Sequence, residues 1–173
     1  MAINKTISNL NIIGPVELVD VVDVKKVPAK IDTGADTSSI WASDIDMKKD
    51  GTLVFKLFGP KSSYYTGSSI EMTEYKARIV RSSHGDTQIR YQVKLPIVLG
   101  SESFETTFNL SNRSRNSLPI LIGRHTIEGR FLVDVSKTSV ERPKKPSSIK
   151  LNQELSENPY EFHQKYIKNK GAN

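Results

Sequence analysis

The stretch AKIDTGADTSSIWAS, residues 29–43, places one acid, Asp32, between an apolar residue and a Thr-Gly turn. An acid that follows Ala-Lys-Ile lies where a strand gives way to a turn. Thr33 can hydrogen-bond through its hydroxyl, and Gly34 lets backbone amides approach a carboxylate because it has no Cβ. Asp-Thr-Gly is also a common turn sequence, so the tripeptide alone indicates an ordinary turn.

The first 137 residues consist mainly of short apolar or alternating runs that turn residues separate. These runs are rich in β-branched residues, and none sustains the 3.6-residue period of an amphipathic helix. We therefore predict one all-β domain over residues 1–137. Within it, RSSHGDTQ lies between two strand-like runs and predicts a hairpin, because Gly85 supplies the positive φ of a tight turn.

The chain changes character after this β domain. Residues 138–173 begin with a segment rich in Pro, Ser and Lys, which favours an extended or disordered linker as far as Lys150. Asn158 can then cap a short helix with Pro159 at its first position, and we predict this helix over residues 159–169. The prediction is thus a polar linker and a C-terminal tail that holds one short helix.

Composition restricts the kinds of site that the protein can hold. The 173 residues include no cysteine, which excludes disulfides and thiolate catalysis, and the three histidines are not spaced as metal ligands. No phosphate-cradling loop or membrane-spanning apolar run occurs, so we expect no metal, no cofactor and no membrane partner. The first residues lack the pattern of a secretory signal, which predicts a cytoplasmic protein.

The formal charge of +6 raises the question of a nucleic-acid partner. From Thr138 onward, 7 Lys and Arg stand against 4 Asp and Glu, which leaves 18 against 15 before it, an excess of +3 in each part. No basic stripe interleaved with aromatic residues occurs. Nucleic acid is therefore not expected as a partner, and we interpret the excess charge as a solvated surface.

A wider pattern changes the interpretation of Asp32. KIDTGADTSSIWA has the form of the active-site segment of retroviral-type aspartic proteases. LPILIGRHTIEG, residues 118–129, resembles the apolar-apolar-Gly-Arg segment that closes around that loop in the same family. The residues between them have the order of the family's flap hairpin and following strands. Two motifs in this order, with a hairpin between them, predict a retropepsin-like closed barrel with a flap.

The closer resemblance is to a bacterial group of retropepsin-like proteins that includes RimB-like proteins. The two patterns of this group occur here at residues 32–38 and 121–136, and the resemblance covers residues 12–137. The group has been labelled ATP-dependent zinc proteases, but the sequence contains neither a zinc motif nor an ATP motif. Asp36 is a departure, since many members of the group carry Arg there whereas the viral enzymes carry Asp.

The resemblance implies a homodimer with Asp32 as its catalytic residue. Aspartic-protease chemistry uses two carboxylates that share one proton, and this chain supplies one Asp-Thr-Gly. A two-fold axis through the site would supply the second. The resemblance also implies roles for other residues: an active-site loop of Thr33, Gly34 and Ala35; loop bracing or substrate contact by Asp36, Gly123 and Arg124; and a flap of Ser83, His84 and Gly85.

Two hypotheses of function follow. The first is an aspartic endopeptidase that acts on a peptide or protein substrate. Acidic or glutamate-modified protein tails are one class of target, because bacterial relatives are associated with enzymes that add glutamates to proteins. The second hypothesis is a peptide-binding or scaffolding barrel that keeps the protease fold without catalysis. Binding without turnover, unchanged by Asp32→Asn, would distinguish the second from the first.

Overall fold

The computed structural model describes residues 10–81, 87–137, 140 and 147–167, and the structural statements below refer to these residues. The chain divides into two compact units, residues 1–141 and 142–173. The elements of the first unit are β1 (Asn11–Ile13), β2 (Val16–Val21), β3 (Val24–Asp32), β4 (Ser38–Met47), β5 (Leu53–Leu57), β6 (Ser69–Met72), β7 (Lys76–Arg81), β8 (Thr87–Leu99), β9 (Glu102–Ser111), β10 (Ile120–Gly123), α1 (Arg124–Ile127) and β11 (Phe131–Val133). The elements of the second are α2 (Ser147–Glu157) and α3 (Pro159–Tyr166).

Six strands of the first unit form a closed barrel. β10 pairs in parallel with β3, and the path continues through β2, β8 and β9 to β4. β4 then pairs antiparallel with β10, which closes the ring. The pairing confirms the prediction of an all-β closed barrel. β5 and β6 extend the sheet beyond β4, and β1 pairs in parallel with β11 as a separate two-stranded sheet.

The alternation of buried and exposed residues along β8 explains how the barrel interior is filled. Val93, Leu95, Ile97 and Leu99 are each at most 2% exposed, while the residues between them are exposed or half-buried. Alternate residues of a strand lie on the same face, so this apolar set faces the core. Several fully buried phenylalanines fill the same core, and burial of each such side chain contributes about 1.5–3 kcal/mol.

The hairpin predicted from RSSHGDTQ is formed by β7 and β8. The two strands pair antiparallel, and their register is continuous from Lys76 to Arg81. This pairing confirms a hairpin at the place where the resemblance puts the flap. The predicted flap residues Ser83, His84 and Gly85 lie outside the described residues.

The second unit contains two helices in its described residues, where the sequence predicts one. The predicted helix begins at Pro159, and the side chain of its cap, Asn158, accepts a hydrogen bond from the Glu161 amide at 3.2 Å. The prediction of a linker as far as Lys150 is wrong, because α2 begins at Ser147. The segment that follows contains no Gly or Pro to interrupt a helix. None of the helices in the described ranges is long and apolar enough to cross a membrane.

Candidate active site

Asp32 is the last residue of β3, and the register places it beside Gly123, the last residue of β10. The two strands run parallel, and the residues before these two, Ile31 and Ile122, are buried in the core. Burial of these apolar residues on the core face fixes the register of the two strands. The Asp-Thr-Gly and Gly-Arg motifs therefore lie next to each other at one end of the barrel.

The Asp32 carboxylate is held by a lysine and by the backbone of its own turn. Oδ2 accepts a hydrogen bond from Lys30 Nζ at 2.8 Å, and Oδ1 accepts one from the Gly34 amide at 3.2 Å. The Lys30 ammonium lowers the pKa of Asp32, partial burial opposes this effect, and the Gly34 and Ala35 amides add to it. The Asp32 side chain is still 25% exposed, so solvent can reach it.

Sequence analysis missed Lys30. A residue two positions before another in a strand lies on the same face, which was the available signal. Lys30 is the first residue of the motif KIDTGADTSSIWA, but the motif is recognised from Asp32 and the residues that follow it.

Two backbone hydrogen bonds join the loop between β3 and β4 to helix α1. The Arg124 amide donates to the Ala35 carbonyl at 2.7 Å, and the His125 amide donates to the Asp36 carbonyl at 3.2 Å. An Arg124 Nη2–Asp36 Oδ1 ion pair of 2.8 Å joins the same segments. Both side chains are more than half exposed, so the pair contributes roughly 0.2–1 kcal/mol and mainly orients the loop. Thr33 is exposed in the same loop.

A close backbone contact and a chain of hydrogen-bonded hydroxyls support the loop. A Cβ on Gly123 would lie 2.6 Å from the Thr37 carbonyl carbon, so this position requires glycine. The Gly123 amide donates to Ser38 Oγ at 3.0 Å. Ser38 Oγ lies 2.7 Å from Thr126 Oγ1, which lies 2.7 Å from Thr106 Oγ1. These hydroxyls were also missed, although Ser38 and Thr126 lie within the two motifs.

A cleft of about 1030 Å³ opens between this loop and the β7–β8 hairpin. The loop lines the cleft with residues 34–37, and α1 lines it with His125 and Thr126. Side chains from β7, β8 and β9 form the other wall, among them Arg78, Val80, Gln92, Lys94, Thr107 and Asn109. A cleft of this volume can hold a segment of peptide.

The two motifs and the barrel correspond to a known family. The family model described as "RimB-like: Retropepsin-like aspartic endopeptidase RimB" matches residues 12–144. The chain belongs to this RimB-like family. The match confirms the retropepsin-like fold and the family that the motifs predict.

Longer proteins contain regions similar to this RimB-like chain. A probable alpha-L-glutamate ligase of Shewanella pealeana is 31% identical over 118 residues, which are 66% of this chain and 26% of that protein. A probable alpha-L-glutamate ligase of Parasynechococcus marenigrum is 32% identical over 111 residues, 62% of this chain and 24% of that protein. The chain thus spans about a quarter of the length of these curated relatives.

A solved structure resembles the RimB-like chain over most of its length. The crystal structure of a Legionella pneumophila protein of unknown function is 31% identical to it, with a TM-score of 0.59. The similarity covers 74% of this chain and 95% of that protein. At this identity and coverage, the likeness agrees with the fold that the family match indicates.

A second cation, Arg113, interacts electrostatically with Asp32 in this RimB-like chain. Its Nη2 and Nε donate to the Leu118 carbonyl at 3.3 and 3.4 Å. Burial lowers the pKa of the Arg113 guanidinium, the charge of Arg90 lowers it further, and the charge of Asp32 raises it. Sequence analysis did not identify this arginine, because no local signal relates its segment to Asp32.

The described residues do not fit the zinc that the older label of the group implies. Within residues 10–81, 87–137 and 147–167, no group of three or more His, Asp or Glu side chains could hold a metal ion. We therefore derive no step of a mechanism through a metal.

Proposed function

We propose that this chain is an aspartic peptidase whose active site is completed in a homodimer by the Asp32 carboxylates of two copies. The observation that carries the proposal is the Asp32 turn: a partly exposed carboxylate at a strand end, bound by backbone amides, beside a cleft of peptide size. The family description supports it, since it names an aspartic endopeptidase.

The chemistry requires the two carboxylates to share one proton. The ionised carboxylate takes a proton from water as the water oxygen bonds to the peptide carbonyl carbon. The protonated carboxylate donates its proton to the carbonyl oxygen, which gives a neutral tetrahedral intermediate. As this intermediate collapses, the C–N bond breaks and the proton taken from water passes to the leaving nitrogen. One hydroxyl of the intermediate returns its proton to the carboxylate that had protonated the carbonyl oxygen, which restores one proton on the pair.

One copy of Asp32 is not sufficient for this chemistry. Because Lys30 lowers the pKa of Asp32, the carboxyl of a single copy is ionised at neutral pH. Such a carboxylate can accept a proton from water but has none to donate to the carbonyl oxygen. A second carboxylate within hydrogen-bonding distance raises the affinity of the pair for one proton, because two like charges repel each other. The proposed dimer thus supplies both the acid and the base.

We further propose acidic or glutamate-modified protein tails as substrates. Two observations support this class: the charge of the chain is +6, and regions similar to this chain occur in proteins named probable alpha-L-glutamate ligases. A ligase that adds glutamates would generate an acidic tail, and a peptidase would shorten it. Positive potential near a site attracts such a substrate and raises its rate of association.

The test compares Asp32→Asn with the parent chain on a fluorogenic glutamate-containing peptide, with the oligomeric state measured in the same samples. Asp23→Asn, which changes an exposed acid in the turn between β2 and β3, is the matched control. We expect Asp32→Asn to abolish cleavage and Asp23→Asn to retain it. Equal cleavage by Asp32→Asn and the parent would refute the proposal.

The alternative is a peptide-binding barrel without catalysis. The Lys30–Asp32 ion pair is the observation in its favour, because a charge-paired Asp32 has no proton to donate. This alternative predicts that the parent chain binds the peptide without turnover and that Asp32→Asn leaves the affinity unchanged.

A further inference from the structure

Two side-chain amides lie side by side on the wall of the cleft that β8 and β9 form. Gln92 of β8 and Asn109 of β9 both line the cleft, and the strand register places them directly opposite each other. Residues directly opposite each other in an antiparallel pair project from the same face, with Cβ atoms typically about 4.5–5.5 Å apart. The two amides are therefore neighbours on the surface that a peptide in the cleft would contact.

The amide oxygen of Asn109 is buried without a hydrogen bond. The residue is 6% exposed, and Oδ1 finds no donor among the residues that the structure describes. A buried acceptor without a donor lowers the stability of a folded protein, and native proteins contain few such atoms. Ser43 Oγ is the other one in the described part of the chain, and Ser43 does not line the cleft. Asn109 therefore fits a site that a ligand completes better than it fits a structural role.

The polar neighbours of Asn109 bond to each other instead of to its oxygen. Ser39 lies beside Asn109 in the parallel register of β4 and β9. The Ser39 hydroxyl lies 2.7 Å from the Ser111 hydroxyl, and both serines are buried. The terminal torsion of asparagine is broad, so the amide can turn its oxygen toward a ligand at little cost. A donor carried by a ligand can thus supply the bond that the neighbouring strands leave unmade.

Gln92 presents the complementary group. Arg78 Nε donates to Gln92 Oε1 at 3.3 Å, so the oxygen of this amide is turned to the arginine and its Nε2 is the group left to donate. An acceptor from Asn109 and a donor from Gln92 thus stand next to each other. The N–H and C=O of one residue of an extended peptide point to the same side. One residue of a bound peptide can therefore bond to both amides.

We propose that Asn109 and Gln92 form a main-chain clamp, in which Asn109 Oδ1 accepts the N–H of one residue of the bound peptide and Gln92 Nε2 donates to the C=O of the same residue. This inference rests on the proposed function, because it takes the ligand to be a peptide. Ionised glutamate and aspartate side chains are acceptors only, so an acidic peptide can offer Asn109 only a main-chain N–H. The main-chain clamp therefore sets the register of the peptide in the cleft, whatever side chain the clamped residue carries.

The experiment removes single N–H groups from the peptide and measures binding without catalysis. Full-length Asp32→Asn chain, the reference chain, is titrated with fluorescent hexaglutamate peptides in which one amide at a time is replaced by an ester. Fluorescence anisotropy gives the affinities. An ester keeps the extended shape of the peptide but has no N–H to donate. We expect at least one ester to bind about three- to tenfold more weakly than the all-amide peptide, as for the loss of one hydrogen bond.

Asn109→Leu in the reference chain identifies the acceptor. Leucine has a similar volume and no oxygen, so this variant should bind the all-amide peptide about three- to tenfold more weakly and should no longer distinguish it from the sensitive ester. Asn116→Leu is the matched control, because Asn116 carries the same amide in an exposed loop between β9 and β10, and it should keep the ester effect. If no ester weakens binding to the reference chain, or if every ester effect survives at full size in Asn109→Leu, the main-chain clamp does not exist.

Gln92→Leu in the reference chain tests the donor. It removes the group that bonds to the peptide C=O and leaves the Asn109 oxygen in place. The all-amide peptide should therefore bind more weakly, while the sensitive ester still binds less well than the all-amide peptide. An affinity of Gln92→Leu equal to that of the reference chain would overturn the two-point contact.

Urea unfolding separates the binding role of Asn109 from a structural one. Because its oxygen is unpaired in the free protein, Asn109→Leu should leave the urea midpoint unchanged or raise it. The ester effect compares two peptides on the same variant, so a general change in stability does not alter it. A lowered midpoint together with a surviving ester effect would indicate a structural role and would overturn the proposal.

The main-chain clamp and the peptidase activity can fail separately. If the chain with Asp32 intact cleaves no peptide but the ester effect depends on Asn109, the peptidase proposal fails while the main-chain clamp stands. If that chain cleaves the all-amide peptide and Asn109→Leu keeps the full ester effect, the main-chain clamp fails while the peptidase proposal stands.

Discussion

Lys30 should set the pH range in which the Asp32 pair works. Its ammonium lies 2.8 Å from Asp32 Oδ2 and stabilises the ionised carboxylate. Catalysis needs one proton on the pair, so kcat/KM falls at low pH as the pair gains a second proton and at high pH as it loses its only one. Lys30→Met removes the cation, which raises the pKa of the pair and moves both limbs of the profile to higher pH.

The magnitude follows from the geometry and exposure of the ion pair. At 2.8 Å, two unit charges attract by about 1.5 kcal/mol in bulk water. The Lys30 and Asp32 side chains are 54% and 25% exposed, and exposed ion pairs contribute about 0.2–1 kcal/mol in practice. Since one pKa unit corresponds to about 1.36 kcal/mol, we expect a shift of about half a pH unit.

The assay is the pH profile of kcat/KM on one fluorogenic peptide. Lys56→Met is the matched control, because Lys56 forms a similar ion pair with Asp44 at 2.9 Å on β5 and β4. It should leave the profile in place, and Lys30→Arg should restore it. The other groups around Asp32, which are the Gly34 and Ala35 amides and Arg113, are unchanged in all three variants. An unmoved profile in Lys30→Met, or one moved to lower pH, would refute the reasoning.

The remaining predictions concern the support of the loop. Gly123→Ala should lower the free energy of unfolding by about 2–3 kcal/mol, because the added Cβ would lie 2.6 Å from backbone. Gly34→Ala should lower it by less than about 0.5 kcal/mol, because the nearest atom to its added Cβ is 3.5 Å away. Urea titration measures both changes, and equal values would contradict the close contact at Gly123. Ser38→Ala should cost about 1–3 kcal/mol by urea titration, because the Gly123 amide loses its buried acceptor, and a cost near zero would contradict that role. A double-mutant cycle of Asp36→Ala and Arg124→Ala should give a coupling of about 0.2–1 kcal/mol that weakens in high salt, and a larger, salt-independent value would contradict an exposed pair.

The features of the fold that could be predicted are those that depend on patterns within one contiguous stretch of sequence. Strand periodicity predicts a mainly β domain. The resemblance to retropepsins adds the closed barrel and the contact between the Asp32 and Gly123 motifs. The Asn158 cap likewise identifies α3, since its side-chain acceptor and the following proline are local features.

The parts that were missed depend on contacts between distant segments. Thr106 has no local signal, because its hydroxyl acquires a role only when β9 lies beside Thr126 of α1. Arg113 interacts electrostatically with Arg90 and with Asp32, and these three residues come from distant segments of the chain. Helix α2 was missed because its first residues were included in the segment predicted as a linker, whose composition is set by the Pro and Lys residues before Ser147.

The central claim is that two copies of Asp32 form one active site, and mixing of chains tests it most directly. A fixed amount of the parent chain is equilibrated with increasing Asp32→Asn chain, and peptidase activity is measured after subunit exchange. With a shared site, random pairing predicts that activity falls in proportion to the fraction of parent chains, to about half at an equal mixture. Activity that stays constant at every mixture would contradict the claim, because it would show that each chain acts alone.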